Sequence, residues 1–128
     1  MLKANFITAQ EAAEKIQDGS TLCTIGMTLV SASESILKAI EKRFETVGHP
    51  ADITLVHSCG QSDRKDGIQH LAHEGLVKRI VGSHWGLQPR WMEMIANSQV
   101  EAYCLPQGQI AQLYRSMACG LPGKMSKV

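Results

Sequence analysis

Residues 21–47 read TLCTIGMTLVSASESILKAIEKRFETV, and this stretch decides the fold. Its first five residues form a short apolar run rich in β-branched side chains, which is typical of a buried strand, and Gly26 ends the run. Apolar residues then recur at helical spacing, at Ile36, Leu37, Ile40 and Phe44. Ser31 and Glu34 stand three positions apart ahead of this helix and predict a capping box. The stretch therefore predicts a strand, a glycine-bearing loop and an amphipathic helix.

The same alternation of apolar runs and helical patterns continues on both sides of this stretch. Further strands are predicted at 53–57, 78–82 and 100–105. Further helices are predicted at 9–17 with Thr8 and Glu11 as a capping box, at 69–76, after Pro89, and from Ile110 to Ala118. Short strands that alternate with helices predict an α/β fold, with an open, mainly parallel sheet and helices on both faces. No repeat or linker interrupts the pattern, so residues 1–128 are predicted to form a single α/β domain.

Composition narrows the class of protein. The 128 residues are 44% hydrophobic with a net charge of +1, which suits one compact core. The basic residues are scattered, so no nucleic-acid surface is expected, and no apolar run is long enough for a membrane span or a secretory signal. The four cysteines form no C-x-x-C pair, and we expect Cys23 and Cys104 to be buried free thiols. These features together predict a cytoplasmic protein.

In an open α/β sheet, ligands bind beyond the carboxyl ends of the strands. The loops predicted at that end are 26–32, 58–67, 83–88 and 105–109. A helix start follows closely behind Gly26 and at Gln107-Gly108, and free N–H groups at a helix start favour anions. The alternative is that these glycines only permit tight turns. Neither loop has the pattern of a P-loop or of a dinucleotide-binding fingerprint.

The histidines leave a metal site open as an alternative. The candidate ligands are His57 with Cys59, His70 with His73, and His84. Their spacing matches no closed zinc site and few carboxylates accompany them, so we predict no metal. A Cys59–histidine nucleophile pair is a second alternative, but no residue is identified that would orient the base.

Large apolar residues in the second half of the chain are expected to pack rather than bind ligands. This group comprises Trp85, Trp91, Met92, Met94 and Met117.

Several segments resemble the family I CoA-transferases, and most of all the acetate/propionate group. The segments are ITAQEAA at 7–13, HEGLVKR at 73–79, SHWG at 83–86, PQG at 106–108 and ACGLPG at 118–123. Their order and spacing agree from about residue 7 to residue 123. The resemblance implies the amino-terminal part of a CoA-transferase fold built from two related halves.

The resemblance also implies a reaction. Such enzymes move CoA between a short-chain acyl-CoA and a free carboxylate through an acyl-glutamyl intermediate, with coenzyme A as a substrate and no separate cofactor. The glutamate belongs to the second half, and no glutamate here matches its motif, so no catalytic residue is expected in this chain. The expected partners are an acyl-CoA, a short-chain carboxylic acid and the C-terminal half or subunit that carries the glutamate, within a homo-oligomer.

The resemblance assigns substrate-binding residues to two loops. Gly26, Met27 and Thr28 match the family's first glycine loop, although that loop is usually richer in glycine. Gln107 and Gly108 match the P-Q-G segment, and Gln107 is the best candidate for a substrate contact. Two alternatives stay open: a non-catalytic binding module derived from such an enzyme, and a sugar-phosphate isomerase in which His84 would be the residue to test.

Overall fold

In the computed structural model, which describes residues 4–127, four strands form one parallel sheet in the order β1-β2-β3-β4. The strands are β1 (Thr21–Thr24), β2 (Ile53–His57), β3 (Val77–Gly82) and β4 (Glu101–Cys104). This arrangement confirms the predicted α/β class with a parallel sheet. The predicted domain 1–128 extends beyond the described residues by residues 1–3 and 128.

Helices alternate with the strands as predicted. They are α1 (Ala9–Glu14), α2 (Glu34–Val47), α3 (Pro89–Ala96) and α4 (Gln107–Ala118), with a 3-10 helix at Gly67–Leu71. The helix predicted at 69–76 is therefore shorter, earlier and of the tighter 3-10 type, and α1 stops three residues before its predicted end at residue 17. Within residues 4–127, none of the helices combines the length and the apolar character needed to cross a bilayer.

The two predicted capping boxes have different outcomes. At α1 the box is present, because Thr8 Oγ1 accepts from the Glu11 N–H at 3.2 Å and Glu11 Oε2 accepts from the Thr8 N–H at 2.7 Å. At α2 the predicted box is wrong. That helix begins after Ser33, and the Glu34 carboxylate instead accepts from the Gly67 N–H at 2.9 Å. The carboxylate that local spacing assigned to a helix cap therefore accepts a hydrogen bond from a loop 33 residues away.

The main core lies against one face of the sheet. Buried residues of α1, α2, α3 and the 3-10 helix form one cluster with Ile53, Leu55 and Ile80. Consecutive strands are neighbours in the sheet, and right-handed crossovers between them keep the connecting helices on the same side. The carboxyl ends of the strands then meet at one edge, where the predicted loops lie.

Helix α4 lies on the opposite face. Leu22 packs against the main core, so the next residue, Cys23, points away from it. Tyr114 of α4 lies near Cys23; burial, with a smaller contribution from Cys23, raises the pKa of Tyr114 to about 12. Its hydroxyl lies 3.2 Å from the Thr24 carbonyl oxygen and 3.3 Å from that of Val56. Both faces are therefore covered by helix, as predicted, but among residues 4–127 α4 is the only helix on the second face.

Two sets of burial predictions are wrong in part. Cys23 and Cys104 are exposed free thiols rather than buried ones, because both lie on the outermost strands of the sheet. Met94 is buried as predicted, whereas Met92 and Met117 are largely exposed on α3 and α4. Burial of these residues depends on which surfaces neighbouring elements cover, which local periodicity does not show.

Candidate functional site

The loops at the carboxyl ends of the strands lie side by side and are joined by hydrogen bonds. The Thr28 N–H donates to Gly60 O at 2.8 Å, which joins the first loop to the second. The Ser83 hydroxyl donates to the Ser58 carbonyl oxygen, which joins the second to the third. The Leu105 N–H donates to Gly82 O at 2.9 Å, which joins the fourth to the end of β3. The four loops therefore form one continuous edge.

The loop that begins at Gly26 is closed on itself. Gly26 has a φ of 142°, and an added Cβ would lie 2.9 Å from Val30 O. The N–H of Met27 donates to Val30 O at 3.1 Å and the N–H of Val30 donates to Met27 O at 2.9 Å. Thr28 also has a positive φ of 53°, and its hydroxyl donates to Met27 O at 2.6 Å. Because the N–H groups of Met27 and Val30 donate within the loop, they are not available to bind an anion. The loop instead exposes the Met27 side chain, which is the part that a ligand can contact.

Gln107 and Gly108 lie in the first turn of α4 rather than in a separate turn before it. Pro106 O accepts from the N–H groups of Gln109 and Ile110 at 2.8 and 3.2 Å. The N–H groups of Gln107 and Gly108 precede these first helical bonds, as at any helix start. Both residues are exposed, and an added Cβ at Gly108 would meet nothing within 4 Å. An anionic group has open access to this helix start.

The two predicted groups of site residues share one end of the sheet without touching. Gly26, Met27 and Thr28 follow β1, and Gln107 and Gly108 follow β4, at opposite edges of the sheet. Three strand spacings separate those edges, which is roughly 14 Å. The two groups therefore lie on opposite sides of the surface formed by the four loops, which we call the platform, and their assignment to substrate stays a prediction.

Buried glutamines support this platform, and sequence reasoning missed them. Gln61 and Gln69 are almost completely buried. The side-chain amide of Gln61 donates to Thr24 O at 2.9 Å, which links the second loop to the end of β1. Gln69 donates to Arg64 O at 2.8 Å and accepts from the Arg90 N–H at 3.1 Å. Neither glutamine belongs to a motif, so the only signal in the sequence is Gln69's place between Ile68 and the apolar Leu71.

His57 is buried at the end of β2 with both ring nitrogens occupied. Nδ1 lies 2.7 Å from Cys59 O, so it carries the proton, and Nε2 accepts from Trp85 Nε1 at 3.2 Å. Burial lowers the pKa of His57, which agrees with a neutral ring. Its contact is with the Cys59 carbonyl and not the thiol, so this histidine cannot serve as base for a Cys59 nucleophile. Trp85 and Trp91 pack against the core, as predicted.

His70 and His73 lie together, but the expectation of few carboxylates around them is wrong. His70 Nδ1 is 2.5 Å from Glu41 Oε2, and its Nε2 is 2.8 Å from Glu34 Oε1. His73 Nε2 is 2.9 Å from Glu41 Oε1. These carboxylates come from α2, about 30 residues away in the chain, so spacing could not show them.

The same cluster has the ligand types of a metal site but is already balanced by cations. Glu34, Asp66 and His70 bring their ligand atoms within 4.8 Å of one another. The Lys38 ammonium lies 3.1 Å from the Glu34 carboxylate and 3.3 Å from that of Asp66. A lysine therefore occupies the place where a cation would neutralise these carboxylates, and we interpret the cluster as an ion-pair network.

His70 is expected to make stability depend on pH. Burial disfavours its charged form, but the hydrogen bonds to Glu41 and Glu34 outweigh burial, so the pKa of His70 is raised above its usual 6.5. Asp66 also faces His70 at 3.3 Å, Lys38 pairs with Asp66, and both His73 and Arg90 pair with Glu41. A histidine whose pKa is higher in the folded chain than in the unfolded chain stabilises the fold. This contribution is complete at pH values below the unfolded pKa, and it is lost as the pH rises through the folded pKa.

The free energy of unfolding, measured in urea, should therefore decrease as pH rises above about 6.5. His70→Gln should remove this part of the slope. An unchanged slope in His70→Gln would contradict the assignment.

Three comparisons with known proteins agree with this fold. Residues 6–128 match the family model described as coenzyme A transferase. Caffeate CoA-transferase of Acetobacterium woodii is 36% identical over 126 residues, which is 98% of this chain and 24% of that protein. Acetate CoA-transferase YdiF of Escherichia coli K12 is 34% identical over 124 residues, which is 95% of this chain and 23% of that protein.

A solved structure gives the same result in three dimensions. The acyl-CoA transferase YdiF from Escherichia coli O157:H7, in a thioester complex with CoA, superposes with a TM-score of 0.87 at 32% identity. The match covers 95% of this chain and 26% of that one. The chain thus spans about a quarter of the length of these relatives. Because the family match covers nearly the whole chain, the protein belongs to the coenzyme A transferase family and corresponds to the amino-terminal part of such an enzyme.

Proposed function

We propose that this chain is the substrate-binding amino-terminal part of an enzyme that moves CoA between a short-chain acyl-CoA and a free carboxylate. The observation that carries the proposal is the similarity, over 95% of the chain, to a transferase captured as a thioester with CoA. The relatives are named for caffeate and acetate, which are both carboxylates. A carboxylate acceptor is the chemistry that these relatives have in common.

The proposed reaction uses a glutamate from the other half of the enzyme. Its carboxylate attacks the acyl-CoA carbonyl carbon, the C–S bond breaks, and CoA leaves as a thiolate from an acyl-glutamyl anhydride. The thiolate then attacks the glutamyl carbonyl, which releases the first acid as a carboxylate and leaves a glutamyl thioester. The acceptor acid reverses these steps. No electrons are gained or lost overall, so coenzyme A is needed only as a substrate.

The described part of this chain supports a binding role because two of its glutamates, Glu34 beside the second loop and Glu101 at the start of β4, are already paired with other groups. Glu34 is held by the Gly67 N–H and by His70. Glu101 pairs with Arg79 at 2.7 Å and accepts from the Tyr103 hydroxyl. A nucleophile must be free to approach a thioester carbonyl, and these two carboxylates are not. The attacking glutamate is therefore expected from the partner half, on the same polypeptide or as a separate subunit, within a cytoplasmic oligomer.

The start of α4 is the part of the chain best placed to stabilise negative charge in this reaction. Oxyanions that develop during acyl transfer need donors that are already oriented. The N–H groups of Gln107 and Gly108, at the start of a helix, are such donors, and both residues are exposed. The exposed Gln107 side-chain amide adds a further donor that a bound substrate would orient. Across the platform, Met27 offers an exposed apolar side chain for the acyl group.

Gln107→Ala in the assembled enzyme is expected to lower kcat/KM by about 100-fold, because one donor to a developing oxyanion is removed. Steady-state transfer between acetyl-CoA and a second short-chain acid would measure the effect. The matched control is Gln112→Ala, which removes an exposed glutamine from the middle of the same helix. Equal activity of the two variants would remove Gln107 from the site.

A further inference from the structure

The histidines of the chain differ in whether their ring nitrogens are used. Four of them have a hydrogen-bond partner for the ring: His49, His57, His70 and His73. His84, in the loop after β3, is exposed, and within residues 4–127 its ring makes neither a hydrogen bond nor an ion pair. The ring nitrogens of His84 are therefore available to a ligand at the carboxyl end of the sheet.

Two glycines confine the His84 ring. An added Cβ at Gly60 would lie 2.8 Å from Cδ2 of the ring, and one at Gly86 would lie 2.7 Å from Cε1. Neither glycine has a positive φ, so the ring, and not the backbone conformation, is what excludes a side chain at these positions. The ring is therefore packed between two segments of loop backbone, although the residue is exposed.

The backbone on either side of His84 is also fixed. The Ser83 hydroxyl donates to a carbonyl oxygen of the second loop, and Trp85 Nε1 donates to the buried His57 Nε2 at 3.2 Å. The buried side-chain amide of Gln88, in the orientation that suits its neighbours, donates to His84 O at 3.1 Å. Side chains that bind substrate are effective when such supporting bonds hold them in one geometry.

On one side, the His84 ring lies close to the Gly26 loop. Gly60, against which the ring packs, accepts the 2.8 Å hydrogen bond from the Thr28 N–H. Thr28 and His84 therefore contact the same residue. The Gly26 loop exposes the apolar Met27 side chain, and His84 adds a polar group beside it.

On the other side, His84 lies close to the start of α4. Gly82 is opposite Cys104 in the register of β3 and β4, and adjacent strands are about 4.8 Å apart. His84 lies two residues beyond Gly82, and Gln107 lies three residues beyond Cys104. The two residues therefore leave neighbouring strands at a similar level. His84 thus lies in the gap between the two predicted groups of site residues.

A carboxylate is the ligand group that suits this position. An imidazole N–H donates to carboxylate oxygens, and hydrogen bonds to a charged acceptor are stronger than those between neutral groups. Because no carboxylate of residues 4–127 pairs with His84, a bound acid does not compete with a side chain of this chain. The carboxylate of a free acid is charged, whereas the acyl group of an acyl-CoA is not.

We propose that the His84 ring donates a hydrogen bond to the carboxylate of the short-chain acid, and that this bond places the acid between Met27 and Gln107. The inference rests on the proposed function and names a residue that recognises the free acid. It also explains how the two predicted groups, which do not touch, act on one small substrate.

Steady-state kinetics of the enzyme assembled with its partner half test this role. His84→Ala should raise the KM for acetate about 10- to 100-fold, the loss expected for one hydrogen bond to a charged group, and should change the KM for the acyl-CoA much less. His84→Gln keeps a side-chain N–H and should recover part of the affinity. The control is His49→Ala, which changes an exposed histidine outside the four loops. An unchanged KM for acetate in His84→Ala would overturn the inference.

Gly60→Ala tests whether the position of the ring matters. The added Cβ would displace the ring, so the KM for acetate should rise in the parent enzyme but not further in His84→Ala, which has no ring. The control is Gly123→Ala, because an added Cβ there meets nothing within 4 Å. Equal effects of Gly60→Ala in the two backgrounds would overturn the proposed placement of the ring.

Chemical modification tests binding without relying on activity. Diethyl pyrocarbonate acylates accessible imidazoles, and peptide mass spectrometry gives the rate at each histidine. In the assembled enzyme, sodium acetate at about ten times its Kd should slow modification of His84 about tenfold relative to sodium chloride, with no effect on His49. Adenosine 3′,5′-bisphosphate, which resembles the nucleotide end of CoA, is the second probe. Protection of His84 by this probe and not by acetate would overturn the inference.

The failures of the two proposals are distinguishable. Protection of His84 by acetate in an assembly that transfers no CoA would support the inference and overturn the proposed function. CoA transfer by His84→Ala with an unchanged KM for acetate would overturn the inference alone.

Discussion

Gly67→Ala is expected to destabilise the chain by about 4 kcal/mol, and two costs combine to give this value. Gly67 has a φ of 77°, a conformation that costs a side-chain-bearing residue roughly 1–2 kcal/mol. An added Cβ would also lie 2.0 Å from Gln61 O, which is a backbone atom and cannot rotate away. Relief of this clash would break the 2.9 Å bond from the Ile68 N–H to Gln61 O. Urea unfolding of the variant against the parent chain measures the loss.

Gly19→Ala is the matched control for this experiment. Gly19 has nearly the same φ, 70°, but an added Cβ there would meet nothing within 4 Å. Its expected cost is the conformational part alone, about 1 kcal/mol. If the two variants lost equal stability, the close packing of the loop at 61–67 would be contradicted. The difference between them isolates the steric part of the Gly67 effect.

The order of strands and helices was predictable because its signals are local. Strand β2 has its predicted bounds, Ile53–His57, since an apolar run there is flanked by Pro50 and by a polar loop. The capping box of Thr8 and Glu11 depends on residues three positions apart and is present. Such features depend only on residues that are close in the sequence, so the local sequence is enough to predict them.

The wrong predictions concern contacts between distant residues. Glu34 has the spacing of a cap, but the loop at Gly67 and His70 takes its carboxylate instead. Cys23 has the sequence context of a buried thiol, but β1 is an edge strand and Cys23 is exposed. The spacing of nearby residues shows neither the order of the strands in the sheet nor the path of a loop 33 residues away.

The candidate site was only partly predictable for the same reason. The strand pattern predicted loops at the carboxyl ends of the strands, and the structure has loops there. That a ligand binds at this end is still a prediction from the rule for open sheets. The sequence could not show that the Thr28 N–H donates to Gly60 O, or that the buried Gln61 side-chain amide donates to Thr24 O. The roles of Gly26, Met27, Thr28, Gln107 and Gly108 in binding stay predictions.

Trp91→Ala is expected to cost about 4 kcal/mol of stability, because it empties the centre of the core. Trp91 of α3 is completely buried. Its Nε1 donates to Ile68 O at 2.9 Å, so the ring also fixes the 3-10 helix that follows the second loop of the platform. Trp91→Phe keeps most of the ring and leaves the Ile68 carbonyl without its donor, which should cost about 1–3 kcal/mol. Thermal and urea unfolding of both variants measure the two contributions.

The adjacent residue supplies the control for Trp91. Met92 lies on the same helix but is 53% exposed, so Met92→Ala should change stability by less than about 0.5 kcal/mol. A cost for Met92→Ala close to that of Trp91→Ala would mean that α3 packs with a different face inward. A cost for Trp91→Phe near zero would mean that water replaces the indole donor at Ile68. In the assembled enzyme, Trp91→Phe should also lower kcat/KM more than Met92→Ala does, because Trp91 is bonded to the 3-10 helix that follows the second loop, and we predict that this loop borders the substrate.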